Sequence, residues 1–160
     1  MLAKEKRPAK SNRTFKSQYP TYTLFRLNIT LRQARAAIEA TRQKALDMGL
    51  KMSIAVVEAG ANLIAFARLE GAWLGSVDIA IKKAKTTRYF DMPTGDLGRE
   101  TQPGGSLYNI EISNGGLIPF PGGELLKAED DTIIGAIGAS GSTVDDDDKV
   151  IKAGVKGASA

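Results

Sequence analysis

Two stretches of the chain carry side chains able to do chemistry: a run of cations, Lys82, Lys83, Lys85 and Arg88, and the segment Glu111 to Gly116 one loop later. Cations in the last turns of a helix clamp carboxylates or phosphates and also offset the helix dipole. The plainer alternative is a solvated basic helix face. Backbone N–H groups of Asn114-Gly115-Gly116 offer an oxyanion site, and Glu111, Asp78 or Lys83 can serve as acid or base where burial shifts a pKa. A third feature is the run Ile133-Ile134-Gly135-Ala136-Ile137-Gly138-Ala139, which has small residues where a strand normally carries bulk. Such glycines mark close approach by a ligand or another backbone. Three readings follow: a pocket for a small molecule lined by Gly115, Gly116, Gly135 and Gly138 with Lys83 supplying charge; an enzyme on a small carboxylate or hydroxy compound; or glycines serving only subunit packing. Lys83 discriminates among them. If buried and facing a pocket it serves binding or catalysis, and if solvated it leaves the packing reading.

The chain contains no His and no Cys. That removes the usual general base and transition-metal ligand, and with them thiolate sites, disulfides and cysteine nucleophiles. Asp145 to Asp148 followed by Lys149, Lys152 and Lys156 match a helix dipole, acids first and bases later, so the aspartates need no metal. No metal site is expected.

These residues must be held by local elements. Thr30 with Gln33 forms a capping box, opening a helix whose Leu31, Ala34, Ile38, Thr41, Ala45 and Met48 share one face and which Gly49 ends. Met52–Val57 is apolar on both faces and reads as a central strand, joined by a Gly/Asn turn to Leu63–Leu69. The loop from Glu70 to Gly75 carries the only Trp, a lid, an interface anchor or plain packing. Ser76 is expected to cap a helix from Val77 to Phe90, and Thr94 a short one through Arg99. Leu117–Phe120 and Thr132–Ala139 read as strands around the Pro121-Gly122-Gly123 turn. Thr21–Leu27 alternates weakly and reads as an added edge strand.

With 160 residues and 42% hydrophobic content the chain has room for one core. The net charge of +4 is unevenly spread. Met1–Leu27 holds seven Lys or Arg against Glu5 alone, a charge of +6 that leaves −2 for the remainder. We therefore expect a basic N-terminal extension, residues 1–28, before one domain at 29–160. No nucleic-acid face is expected on the domain itself. No apolar run reaches the length of a membrane span and no secretory signal is evident, so the expected address is cytoplasmic, with an organelle-targeting role for the arm as the variant reading.

In order, SIAVVEAGANLIAFARLEGA, the Lys83-Ala84-Lys85-Thr86 helix, NGGLIPFPGGELL, IIGAIGASGST and the acid-rich final helix resemble the GlcG/HbpS family, which includes the C-terminal domain of PduO-type proteins. The resemblance spans about residues 29 to 156. It implies an α/β (α+β), profilin-like architecture with an antiparallel sheet of about five strands flanked by helices, and a homo-oligomer. It implies further a small-molecule ligand, with haem or another tetrapyrrole as the candidate cofactor. Related sequences are expected to carry a His near Ile112 and another near Asp148 or Lys149, and this chain has neither. Under the resemblance, iron would fall to Tyr89, Met92 or Tyr108 and the propionates to Lys83, Lys85 or Arg88.

Overall fold

The computed structural model describes residues 28–159. The basic extension up to Leu27 and the strand expected at Thr21–Leu27 lie outside them. Helix α1 spans Leu31–Asp47, and its entry is the expected capping box. The Gln33 N–H donates to Thr30 Oγ1 and the Thr30 N–H donates back to Gln33 Oε1 at 3.0 Å. Strand β1, Ser53–Glu58, pairs antiparallel with β2, Leu63–Arg68. Helix α2 runs Ser76–Phe90 and the short α3 Thr94–Glu100. A single 3-10 turn, Ile110–Ile112, sits in the long connection to β3, Gly123–Lys127. Strand β4, Ile133–Ser140, then leads to α4, Val144–Ala158, capped by Thr143.

The sheet has the order β2-β1-β4-β3, antiparallel throughout. Central β1 is buried on both faces, as an all-apolar strand must be. Alternation along it decides the layers. Ile54 and Val56 face a large core with Met52, Leu126, Ile137, Val150 and Ile151, covered by α1 and α4. Ala55 and Val57 face the other way, with Ala136, onto Ala80 and Ala84 of α2. Fully buried Ile54, Val56 and Ile137 each stabilise the fold by about 1.5–3 kcal/mol relative to exposure. The α2 face is lined by small residues, so that helix lies close to the sheet.

Several local expectations are corrected. Four strands, not five, form the sheet among the described residues. Leu117–Phe120 is not a strand. Pro119 has no N–H to give a ladder, and the Ile118 N–H goes to Thr86 Oγ1 at 3.1 Å, so pairing starts only at Gly123. Ser76 is not a cap. Gly75 occupies that position, and Ser76 Oγ donates to Trp73 O at 2.6 Å and lies 2.9 Å from Ser53 Oγ, tying α2 to β1. Thr94 is likewise inside its helix, preceded by Pro93, and its Oγ1 accepts the Gly123 N–H at 2.9 Å.

Candidate functional site

Helix α2 has two faces with different chemistry. On the inner face Lys83 falls in the stripe Ala80, Lys83, Ala84 and Thr87, all buried. A helical side chain in such a stripe must enter the core. Lys83 is 0% exposed. Its ammonium lies 2.6 Å from Asp147 Oδ2 on α4, donates to Ala139 O at 3.0 Å, and stands 4.7 Å from the ring centre of Phe120. Its donors are thus spent on a carboxylate, a carbonyl and a π face. The Ser142 N–H donates to the other Asp147 oxygen at 3.3 Å. Burial draws Lys83 below its ordinary pKa and pushes Asp147 up, while their mutual attraction and hydrogen bond oppose both shifts.

The space for this pair is made by Gly122, at φ +114°, where a Cβ would stand 2.5 Å from Lys83 Nζ and 2.8 Å from Asp147 Cβ. Lys83 is therefore buried but faces a carboxylate of its own chain, not an open pocket. The expectation that it contributes to a basic surface, or offers charge to a ligand, is corrected. Asp147 sits in the first turn of α4 with Asp145 and Asp146, as the dipole reading expects, but its side chain is buried. Asp147, Phe120 and Gly122 were missed from the sequence. The one available signal was the small, core-facing neighbours of Lys83.

The glycines of β4 serve packing. At Gly138 the space of a side chain is filled by Ala80 O and the Ala84 N of α2. At Gly135 it is filled by Val57 O and Ile29. The close approach expected at these positions is made by α2 and β1, which corrects their assignment to a ligand wall.

The outer face of α2 is different. Asp78 pairs with Lys82 at 2.9 Å and its side chain is 67% exposed, so the burial that an acid or base role required is missing. Lys85 is half-buried, Arg88 pairs with Asp91, and Tyr89 is exposed. Against this half of the helix lies the connection 101–122. It is tied to α3 by the Leu107 N–H to Glu100 O and to α2 by the Ile118 N–H to Thr86 Oγ1. Lys82 Nζ reaches Gly116, 3.2 Å from where its Cβ would be. Asn114, Gly115 and Gly116 form the expected turn with three successive left-handed residues. The Gly116 N–H is already donated to Ser113 O at 2.9 Å, so it drops out of the expected oxyanion site. Gly115 faces open space.

The same connection exposes apolar surface: Tyr108 is 56% and Ile112 86% exposed. Met92 is half-buried at the end of α2. Among the described residues three buried side-chain polar atoms have no hydrogen-bond partner, Thr87 Oγ1, Arg88 Nε and Glu111 Oε2. Three clefts among the described residues are lined by neither Lys83, Tyr108 nor the Asn114–Gly116 turn. One of about 350 Å³, between α3, β3 and α4, gathers Asp96, Glu124, Asp145 and Asp148 with Arg99 and Lys152. Burial, with Asp148 and Asp96 nearby, raises the Glu124 pKa. Among the described residues no group of three or more such side chains is placed to hold a metal ion, and no helix is long and apolar enough to cross a membrane.

Comparison with known proteins agrees with this architecture. The chain is 34% identical over 119 residues, 74% of its length and 84% of the relative's, to the uncharacterized 15.0 kDa protein in the dhaT-dhaS intergenic region of Citrobacter freundii. The Klebsiella pneumoniae protein ORFY superposes with a TM-score of 0.80 at 29% identity, covering 89% of this chain and 94% of that one. The PduOC:Heme complex superposes with a TM-score of 0.77 at 25% identity, covering 81% and 94%. The family model described as haem degrading protein HbpS-like matches residues 29–156, and the chain belongs to the HbpS-like family.

Proposed function

We propose that this protein binds a small molecule, a tetrapyrrole such as haem in the first instance, against the outer face of α2 and the connection 101–122. The observation that carries the reading is the exposed apolar and aromatic surface of that connection, Tyr108 and Ile112, in a segment whose Gly116 lies beside Lys82 Nζ of α2. Exposed apolar groups beside charge mark a binding surface. Family membership and the similarity to a solved haem complex support the ligand class. The donor set fits haem in a restricted way. With no His in the chain, the phenols of Tyr89 and Tyr108 are, among the described residues, the tyrosine ligands open to ferric iron, and Lys85 and Arg88 suit propionates. When bound, haem would supply redox and oxygen chemistry; the residues here hold and orient it.

The test is a Soret titration of the protein with haemin. A saturable, shifted band, weakened several-fold in Tyr108→Phe or Arg88→Ala, supports the reading. An unshifted band, or one indifferent to both variants, rejects it.

An enzyme acting on a small carboxylate or hydroxy compound is the second reading, favoured by one observation. Glu111 Oε2 is buried without a partner, a group that a substrate hydroxyl would satisfy. Lys83 does not support this reading, because every donor it has is taken. Binding of hydroxy acids that depends on Glu111, lost in Glu111→Gln, would favour it over the first.

A further inference from the structure

We propose that the loop between β2 and α2 is a membrane-docking tip that carries Trp73 and Leu74 into the interface of an anionic lipid bilayer. The loop sorts its apolar residues sharply. Leu69 and Ala72 are turned inward, 7% and 3% exposed, whereas the next two residues, Trp73 and Leu74, are 69% and 79% exposed. Plain packing, one of the roles open to the only Trp of the chain, is thereby excluded. The outward stance is held by hydrogen bonds. Arg68 Nη2 donates to Ala72 O and Ser76 Oγ to Trp73 O, both at 2.6 Å, and the Val77 N–H donates to Leu74 O at 3.3 Å. Ser76 is itself buried, 2.9 Å from Ser53 Oγ of β1. The backbone is thus fixed in a position that keeps two large apolar side chains in water, where they mark a contact surface.

Size and shape favour lipid over protein as the occupant. A stable protein interface buries about 1,200–2,000 Å² in total, and a Trp side chain with a neighbouring Leu supplies only a few hundred of that. A lipid interface needs no matching contour, because it yields around whatever enters it. Trp is also the side chain enriched there, its ring at the acyl boundary and its N–H among the headgroups.

Charge selects an anionic surface. Lys51, whose Nζ lies 3.2 Å from the position of a Cβ on Gly71, and Arg68 flank the tip, against Glu70 in the loop itself. Asp78, in the first turn of α2, is offset by Lys82 at 2.9 Å. One shallow anchor gives only marginal attachment, so stable docking takes a second signal. The extension before Asn28 supplies it, with seven Lys or Arg against Glu5 alone, the composition that anionic lipid attracts. Its 27 residues reach about 90 Å when extended, enough to meet the same surface as the tip.

The experiment uses the full chain, in which indole fluorescence reports Trp73 and nothing else. Vesicles of phosphatidylglycerol mixed with phosphatidylcholine, with and without bromine on the acyl chains, are titrated in beside vesicles of phosphatidylcholine alone. The expected result is a saturable blue shift with the anionic vesicles, quenched by bromine and lost with the neutral ones. Leu74→Asp is expected to weaken vesicle binding at least about tenfold. Should that variant fail to fold by circular dichroism, bromine quenching of Trp73 in the native chain decides. Four outcomes would each overturn the proposal. They are no shift with anionic vesicles, equal binding to neutral ones, co-sedimentation with vesicles while Trp73 is neither shifted nor quenched, and a blue shift that grows with protein concentration before lipid is added. The third would assign the binding to the basic extension alone, and the last would assign the tip to a contact between copies.

Discussion

The Lys83 ammonium on α2 lies 2.6 Å from the Asp147 carboxylate on α4, with both side chains essentially without solvent contact. The pair pins two helices that pack on opposite faces of the sheet, at the end of β4 where Ala139 O completes the cation's shell. A buried ion pair of this kind costs much to break and little to replace with apolar groups, because the penalty lies in leaving one charge alone. Lys83→Met is therefore expected to destabilise by about 3–5 kcal/mol in urea denaturation, and Lys83→Met/Asp147→Leu to recover most of that loss. A single variant losing under about 1 kcal/mol would show that the pair is not closed to solvent.

The glycines divide by what surrounds them. Gly138→Ala must push α2 from the sheet and is expected to cost about 1–3 kcal/mol or more, with Gly122→Ala at least as severe because its φ also disfavours a side chain. Gly115→Asn meets open space in a left-handed conformation that Asn tolerates, and should stay within about 0.5 kcal/mol. Thermal melts of the three variants decide this. A Gly138→Ala protein as stable as wild type would remove the packing assignment.

Glu124 sets a pH dependence. Its folded pKa is raised above the ordinary 4.5 by burial first and by Asp148 and Asp96 next. A raised carboxyl binds more protons folded than unfolded, so its contribution is complete below 4.5 and is lost as pH rises through the folded value. Glu124→Gln should abolish that decline. Melting temperatures of the two proteins should diverge in favour of the variant as pH rises above 4.5, and parallel curves would count against the assignment.

For the proposed ligand surface, Ile112→Glu replaces the most exposed large apolar side chain among the described residues, 86% exposed, with a charge. It is expected to leave the melting temperature unchanged and to weaken haemin binding about tenfold or more, the order of one lost apolar anchor. Equal affinity in a Soret titration would move the site elsewhere on the molecule.

Helix α1, the central strand β1 and its hairpin with β2 were legible in the sequence because their signals are local. A capping box, a 3.6-residue stripe and an all-apolar run each act within a few residues of themselves. The absence of His and Cys fixed the chemistry closed to the chain without reference to any fold. Tertiary structure decided the rest. Whether Ser76 caps α2 or ties it to β1 depends on Ser53 being within reach, and whether Gly138 admits a ligand or a helix depends on where α2 crosses β4. Lys83 among Lys82 and Lys85 looks like a solvated cation until the chain closes 64 residues away on Asp147. No local pattern encodes that meeting, because it is produced by the crossing of two helices over the end of a shared strand.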